Sequence, residues 1–291
     1  TTTMEKNLIS HSIGNHVSAT IIADSINQYG NRITTFQLKF PRIILPEVNT
    51  HRVMSKNAAS TRAIPTKKAI DRLLNGGEMF KFAKVGKNQS GMQAYEEVSS
   101  EIAEKFHSEW EELCKIVCGY VSRWDSEYQI HKQVISRALE PWTYSQMVLT
   151  ATDFDNFEEL RIHHAAEPHI NDLAICMREA RSKSVPVKRV SINDWHLPYV
   201  TDEERQNNPI EDLLAFSTAR CARVSYLLHD GSTTNPEKDR ALHEQLVGSN
   251  PKHSSPSEHQ AYPNPINERV KNFQGWVQYR AIIESNTYAN I

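Results

Sequence analysis

Apolar and polar residues alternate twice near the start of the chain. Val17-Ser-Ala-Thr-Ile-Ile-Ala23 and Arg32-Ile-Thr-Thr-Phe-Gln-Leu-Lys-Phe40 place β-branched and aromatic side chains at period two, and they flank Tyr29-Gly-Asn31. The pattern predicts two strands around a turn. The period then lengthens over 92–123. There Val98, Ile102, Phe106, Trp110, Leu113 and Val117 recur every three or four residues. This predicts a long amphipathic helix whose stripe is core or subunit interface, with no catalytic role.

Shorter signals complete the outline. Pro65 opens a helix over Thr66–Leu74, which Gly76-Gly77 stops. Residues 131–139 read as a helix broken by Pro141, and Gln146 to Thr152 as a buried strand. Asn156–Arg161 reads as a helical turn or helix, followed by helices over 168–182, from Ile210 into Cys221–Tyr226, and over 236–247. Pro251–Pro265 is a loop, and Gly275–Ile283 a last strand. Residues 184–208 contain prolines and no period, as a linker or lid would. The sum is an α+β fold over 1–291 in a single domain. It has a mixed, mainly antiparallel sheet flanked by helices, one of them long.

Composition excludes several classes. The 33 basic and 35 acidic residues nearly balance, so no global field recruits nucleic acid or an anionic membrane. No apolar run is long enough to span a bilayer, and Thr1–Ser10 has no signal-peptide core. The four cysteines suit a reducing, cytoplasmic setting rather than a disulfide framework. Cys114 and Cys118 lie one helical turn apart without a second pair, so they read as buried helix residues before metal ligands. The chain has no Gly-x-Gly-x-x-Gly and no P-loop.

Candidate chemistry begins at 47–62. His51, Arg52, Ser55, Asn57, Ser60 and Arg62 follow the apolar run Ile43-Ile44-Leu45. Leaving a sheet edge as a loop, Arg52, Ser60 and Arg62 can converge on one oxyanion, with planar forks and a hydroxyl. The bland alternative is a surface loop of scattered salt bridges. Arg137 and Arg161, taken alone, read as solvated helix charges. His253, Glu258 and His259 bracket a Pro turn, but their spacing fits no common zinc motif, so no metal is expected.

Together these segments resemble the flavin-dependent thymidylate synthases. That family's Arg-His-Arg, seven residues, Ser, one residue, Arg is similar to His51-Arg52, Ser60 and Arg62. Its Arg-x-x-x-Pro and Asn-Phe-x-x-Leu-Arg are similar to Arg137–Pro141 and Asn156-Phe157–Leu160-Arg161. Its Ala-Arg-Val-Ser and His-x-(Ser/Thr)-Pro-Phe-Glu-His are similar to Ala222–Ser225 and His253–His259, with Ser257 in place of Phe. The resemblance implies one-carbon transfer from methylenetetrahydrofolate to C5 of dUMP, with FAD as cofactor, NADPH as electron source and a homotetramer as the assembly. It also implies roles. Arg62, Ser60 and Arg137 would grip the nucleotide, and Arg161 would stabilise the pyrimidine anion. His51, Arg52, Asn57, Asn156, Ser225, His253, Ser255 and Glu258 would line the flavin. Ser60 has no encoded base beside it, which favours positioning over nucleophilic attack.

The chain also departs from that pattern. The last two segments follow the His51–Arg62 segment, whereas in typical members they precede it. The order is either a permutation or an equivalent third placed differently, and it is similar to virus-encoded members that act in a host cytoplasm. Thr50 stands for the first Arg of the triplet, Glu47 for a pyrimidine-contacting Gln and Ala58 for a flavin-contacting Glu; Thr152 replaces an Arg and Glu167 a Gln. Arg280 is the expected replacement cation at the substrate. A carboxylate at Glu47 accepts only, where a Gln amide also donates. That opens a second reading, a 5-substituted pyrimidine other than thymidylate, such as hydroxymethyl-dUMP, or methyl- or hydroxymethyl-dCMP. The lost arginines open a third, a non-catalytic nucleotide- or flavin-binding relative.

Overall fold

Six strands form the main sheet of the computed structural model, which describes residues 8–224 and 235–288. The strands in chain order are β1 (Ser10–Ile13), β2 (Val17–Ile26), β3 (Arg32–Pro41), β4 (Ser55–Ala58), β5 (Tyr144–Ala151) and β6 (Val187–Lys188). Their spatial order is β1-β2-β3-β5-β4, all antiparallel, with β6 parallel to β2. Small pairs are made by β7 (Ala261–Pro263) with β10 (Trp276–Gln278), and by β8 (Arg269–Val270) with β9 (Phe273–Gln274). The helices are α1 (Leu45–Asn49), α2 (Thr66–Leu74), α3 (Ser100–Ser126), α4 (Lys132–Ile135), α5 (Asp155–Arg161), α6 (Pro168–Lys183), α7 (Asp202–Asn207), α8 (Ile210–Arg223), α9 (Pro236–Gly248) and α10 (Tyr279–Tyr288). The chain is α+β, as its pattern predicts.

Strand alternation divides the sheet into two unlike faces. Phe36 pairs with Leu149 and Leu38 with Met147, and with Phe40, Ala19 and Ile21 they form the main core beneath α6. The opposite face carries Thr35 beside Thr150, Gln37 beside Val148, and Ser55 beside Thr150. A bulge at Ile22 in β2 reverses that strand's phase. Ile21 lies opposite Phe36 on the apolar face, whereas Ala23 and Ser25 pair with Thr35 and Ile33 on the polar one. Over this second face lie His196, α8 and the segment from Ser255 to Gln278. Asn27 Nδ2 ties β10 down through the Gly275 carbonyl at 2.8 Å, where Gly275 adopts a positive φ of 74°.

Several predicted elements differ in detail. The long helix starts at Ser100, capped by Ser99, because Val98 is held in an extended pair with Val85. Its buried side, Cys114, Cys118 and Val121, packs on Leu73, Leu139 and Trp142, which makes both cysteines core residues; Ile102 and Leu113 are exposed. The 131–139 helix is a short α4 followed by a 3-10 segment, Ser136–Trp142, that contains Pro141 instead of breaking before it. The 47–62 segment is no simple loop, since it holds α1 and the edge strand β4. Gly275–Ile283 is a strand only to Gln278, and then turns into α10. Residues 184–208 contain β6 and α7, and bury Trp195, His196 and Leu197. Arg220 fixes α7, α8 and α9 together: it bonds Glu204 in a fork at 2.8 and 2.7 Å and Asp239 at 3.0 Å.

Candidate functional site

β4 separates two groups of polar side chains. Ala58 packs toward the main core, and Lys56 Nζ donates to the carbonyl of Val48 at 3.3 Å and to that of His51. Ser55 and Asn57 face the other way. Ser55 Oγ accepts from Asn272 Nδ2 at 2.9 Å, and Asn57 lies between His259 and Ser255. A four-residue edge strand thus carries both corners of the site.

The first corner is built on α1 and α5. Arg161 Nε donates to His51 Nε2 at 3.0 Å, across more than a hundred residues of sequence. A guanidinium only donates, so that nitrogen accepts and the ring is neutral with its proton on Nδ1. Burial, then the charges of Arg161 and Lys56, push the His51 pKa down to about 4. Phe157 holds the ring edge-on at 4.8 Å. Arg161 Nη2 reaches the Glu47 carbonyl at 3.4 Å and Thr50 Oγ1 at 3.3 Å. Thr50, in place of an arginine, therefore receives a bond from Arg161 where a second cation would repel it. Glu47 Oε2 is buried with no hydrogen-bond partner among the described residues. Glu47 and Arg161 line a cavity of about 690 Å³ with Tyr95, His163, His164 and Glu167. Glu167 also caps α6, accepting from the His169 and Ile170 amides at 2.8 and 3.0 Å.

The second corner is built on β4, the 3-10 turn Ser255–Glu258 and α10. Asn57 Nδ2 donates to Ser255 Oγ at 3.2 Å. Glu258 pairs with Arg280, whose Nε also bonds Glu284 at 2.7 Å. Arg280 thus lies beside the residues expected at the flavin, neutralised by two carboxylates. Lys56 connects the corners. It holds the His51 loop from one side and feels the Glu258 charge from the other, while burial lowers its pKa to about 8. Lys56 was not singled out in the sequence; its position two residues before Ala58 on an edge strand was the available signal. His253 is exposed, with its amide donating to the Leu246 carbonyl at 3.0 Å.

The remaining candidates scatter more widely. Ser60 caps the 3-10 turn Thr61–Ala63, accepting from the Arg62 amide at 3.3 Å, and that turn packs on Ser136–Trp142. Arg62 and Arg137 are both exposed, and Arg137 lies 3.6 Å from Glu140. Arg52 and Asn156 are exposed on the surface. Ser225 lies outside the described residues. Thr152 Oγ1 accepts from the Gln274 amide at 2.9 Å, and Ser257 is wholly buried, its hydroxyl without a partner among the described residues. Among the described residues no three His, Cys, Asp or Glu side chains are grouped to hold a metal ion, and no helix is long and apolar enough to cross a membrane.

No protein-family model matches the chain, and no curated protein matches it. Among solved structures it is similar to two of the flavin-dependent thymidylate synthase ThyX from Helicobacter pylori, both with FAD and dUMP. Identity is 15% in each case, over 51% of this chain and 67% of the other, with TM-scores of 0.35 and 0.34. An overlap of this depth carries no site from one chain to the other, so the function of the site rests on its own geometry.

Proposed function

We propose that the chain transfers a one-carbon unit from methylenetetrahydrofolate to C5 of dUMP, giving dTMP, with FAD as cofactor and NADPH as reductant. One observation carries this reading. Motif residues far apart in sequence meet on either side of β4, Arg161 on His51 and Asn57 on Ser255, and Lys56 of β4 joins the two pairs, bonded to the His51 carbonyl and feeling the Glu258 charge. The donor set of the second corner fits a flavin. Asn57, Ser255 and Lys56 offer hydrogens and Glu258 an acceptor, as an amide-edged ring and a pyrophosphate require. When bound, the flavin supplies the redox chemistry. The chain supplies position and charge. Arg161, held on three sides, stabilises the negative charge that grows on the pyrimidine ring as C5 becomes a nucleophile. Ser60, Arg62 and Arg137 hold the phosphate, and Arg280 orders Glu258. A homotetramer would complete the exposed phosphate residues from neighbouring subunits.

One observation favours a second reading of the substrate. Glu47 Oε2 is a buried acceptor without a donor among the described residues, beside Arg161. The exocyclic amino group of a cytosine would satisfy it; on the same edge a uracil offers only its N3–H, because its O4 accepts. Incubating the purified protein with FAD, NADPH, methylenetetrahydrofolate and either dUMP or dCMP, then weighing the products, decides between them. A methylated dUMP product supports thymidylate synthesis. Conversion of dCMP alone transfers the reading to a 5-substituted cytidylate. A protein that NADPH does not bleach in the presence of FAD is a binding relative with no such chemistry.

A further inference from the structure

Behind the second corner a line of buried side chains crosses the polar face of the sheet. Arg189 Nε donates to Ser25 Oγ at 3.1 Å, and Ser25 Oγ lies 2.8 Å from His196 Nδ1. His196 Nε2 lies 2.8 Å from Thr35 Oγ1, which lies 2.7 Å from Thr150 Oγ1. Thr150 Oγ1 lies 2.8 Å from His259 Nδ1, and His259 Nε2 lies 2.7 Å from Asn57 Oδ1. Ser25, Thr35, Thr150, His196 and His259 are all wholly or almost wholly buried. Burial keeps both rings neutral, with the His259 pKa pushed down to about 3 and that of His196 well below its ordinary value.

Each neutral imidazole has one donor and one acceptor nitrogen, and each hydroxyl has one hydrogen. The line can therefore run in one of two directions only. If it ran from His259 toward Ser25, the His196 Nδ1 proton would enter Ser25 Oγ. The Ser25 hydroxyl hydrogen would then have no acceptor among the described residues. An orphaned buried donor costs about 1–3 kcal/mol. Run the other way, from Ser25 to His259, every hydrogen is used. The Ser25 hydroxyl donates to His196, His196 Nε2 to Thr35, Thr35 to Thr150, and Thr150 to His259 Nδ1. His259 Nε2–H then faces Asn57 Oδ1, which turns Asn57 Nδ2 outward to Ser255.

We propose that Thr150 and His259 are positioning residues, the last links of a one-way hydrogen-bond chain from Ser25 that makes Asn57 present a donor, not an acceptor, to the cofactor corner. The chain is not a proton exit: Arg189 cannot release its proton at one end, and an amide does not conduct at the other. Its output is a choice of recognition code. An outward N–H selects a carbonyl oxygen or a bare ring nitrogen on the bound group, and a reversed chain would select an N–H. The identity of that group as a flavin rests on the proposed function; the direction of the chain does not.

The test uses the full chain with 15N-labelled histidine. Nitrogen shifts are expected to show His196 and His259 as Nε2–H tautomers at neutral pH. Thr150→Val, which keeps shape and removes the hydroxyl, is expected to release His259 into mixed tautomers and to weaken FAD binding about tenfold, the worth of one hydrogen bond. Thr150→Ser is expected to restore both. A His259 that is Nδ1–H in the parent chain overturns the proposal, as does a folded Thr150→Val protein with parental shifts. If the shifts follow expectation while the parent binds no FAD, the chain stands and the flavin reading falls.

Discussion

The two faces of the main sheet are built from the same strands and behave oppositely. The α6 face is apolar, and its residues are interchangeable in kind: Phe36, Leu38, Met147 and Leu149 need only volume and burial. The other face buries Thr35, Thr150, His196 and His259, each of which needs a particular partner at a particular angle. The apolar face gives stability, and the polar face fixes side-chain direction at the cost of being easily unsatisfied. The candidate site sits where they meet, at β4, with Lys56 and Ala58 on one side and Ser55 and Asn57 on the other.

The largest effects should fall on the apolar face. Phe36 is fully buried under α6, and Phe36→Ala should cost about 3–5 kcal/mol of unfolding free energy, read from urea midpoints. A loss under 1 kcal/mol would mean that this face is not the main core. Arg161, at the end of the same face, should act on turnover. Arg161→Ala should lower product formation about 10²–10³-fold, the range for removing one fixed electrostatic group. Arg161→Lys should recover only part, because a point charge cannot hold His51, Thr50 and the Glu47 carbonyl together. Turnover close to that of the parent in both variants would remove Arg161 from the reaction.

Legibility followed the same division. β2 and β3 were readable because one face obeys a period-two pattern of large apolar residues, β5 because it reads as a short buried run, and α2 because Pro65 and Gly76 frame it. The start of α3 was not, because Gly86 and Glu97 form an extended bridge that a helical period does not encode. The α10 boundary differs for a related reason: Gly275-Trp-Val-Gln runs into Tyr-Arg-Ala-Ile-Ile with no Gly, Pro or cap residue between them, and helix and strand look alike in so short a run. In the site, motif residues were legible one segment at a time. What could not be read was the pairing: His196 is an unremarkable histidine in an irregular stretch until the bulge in β2 brings Ser25 beneath it.

Intermediate effects should come from the polar face. Thr150→Val removes one hydrogen-bond partner from each of Thr35 and His259 and leaves shape unchanged, so it should destabilise by about 1–3 kcal/mol. Thr150→Ser should be within about 0.5 kcal/mol of the parent, apart from the lost methyl. The pair of urea midpoints separates hydrogen bonding from packing. If Thr150→Ser lost more than Thr150→Val, the methyl group and not the hydroxyl would be what this face uses.

The smallest effect is the most discriminating, because it compares a strongly perturbed histidine on each side of the sheet, His51 and His259. Both titrate below the ordinary value of 6.5, His51 at about 4 and His259 at about 3. The unfolded chain therefore takes up these protons first. Stability is complete above about pH 6.5 and is lost as pH falls toward the folded values, by at most about 1.4 kcal/mol per unit of pH for each ring. The causes differ. His259 is lowered by burial alone, whereas His51 is lowered by burial and then by Arg161 and Lys56. Arg161→Gln keeps a donor for His51 Nε2 and removes the charge. It should raise the His51 pKa while leaving it below 6.5, since burial persists, and it should not move His259. Proton NMR titration of the two ring signals reads both at once. A common shift of the two would mean that Arg161 acts through a change in the fold, and that the two faces are not electrostatically separate.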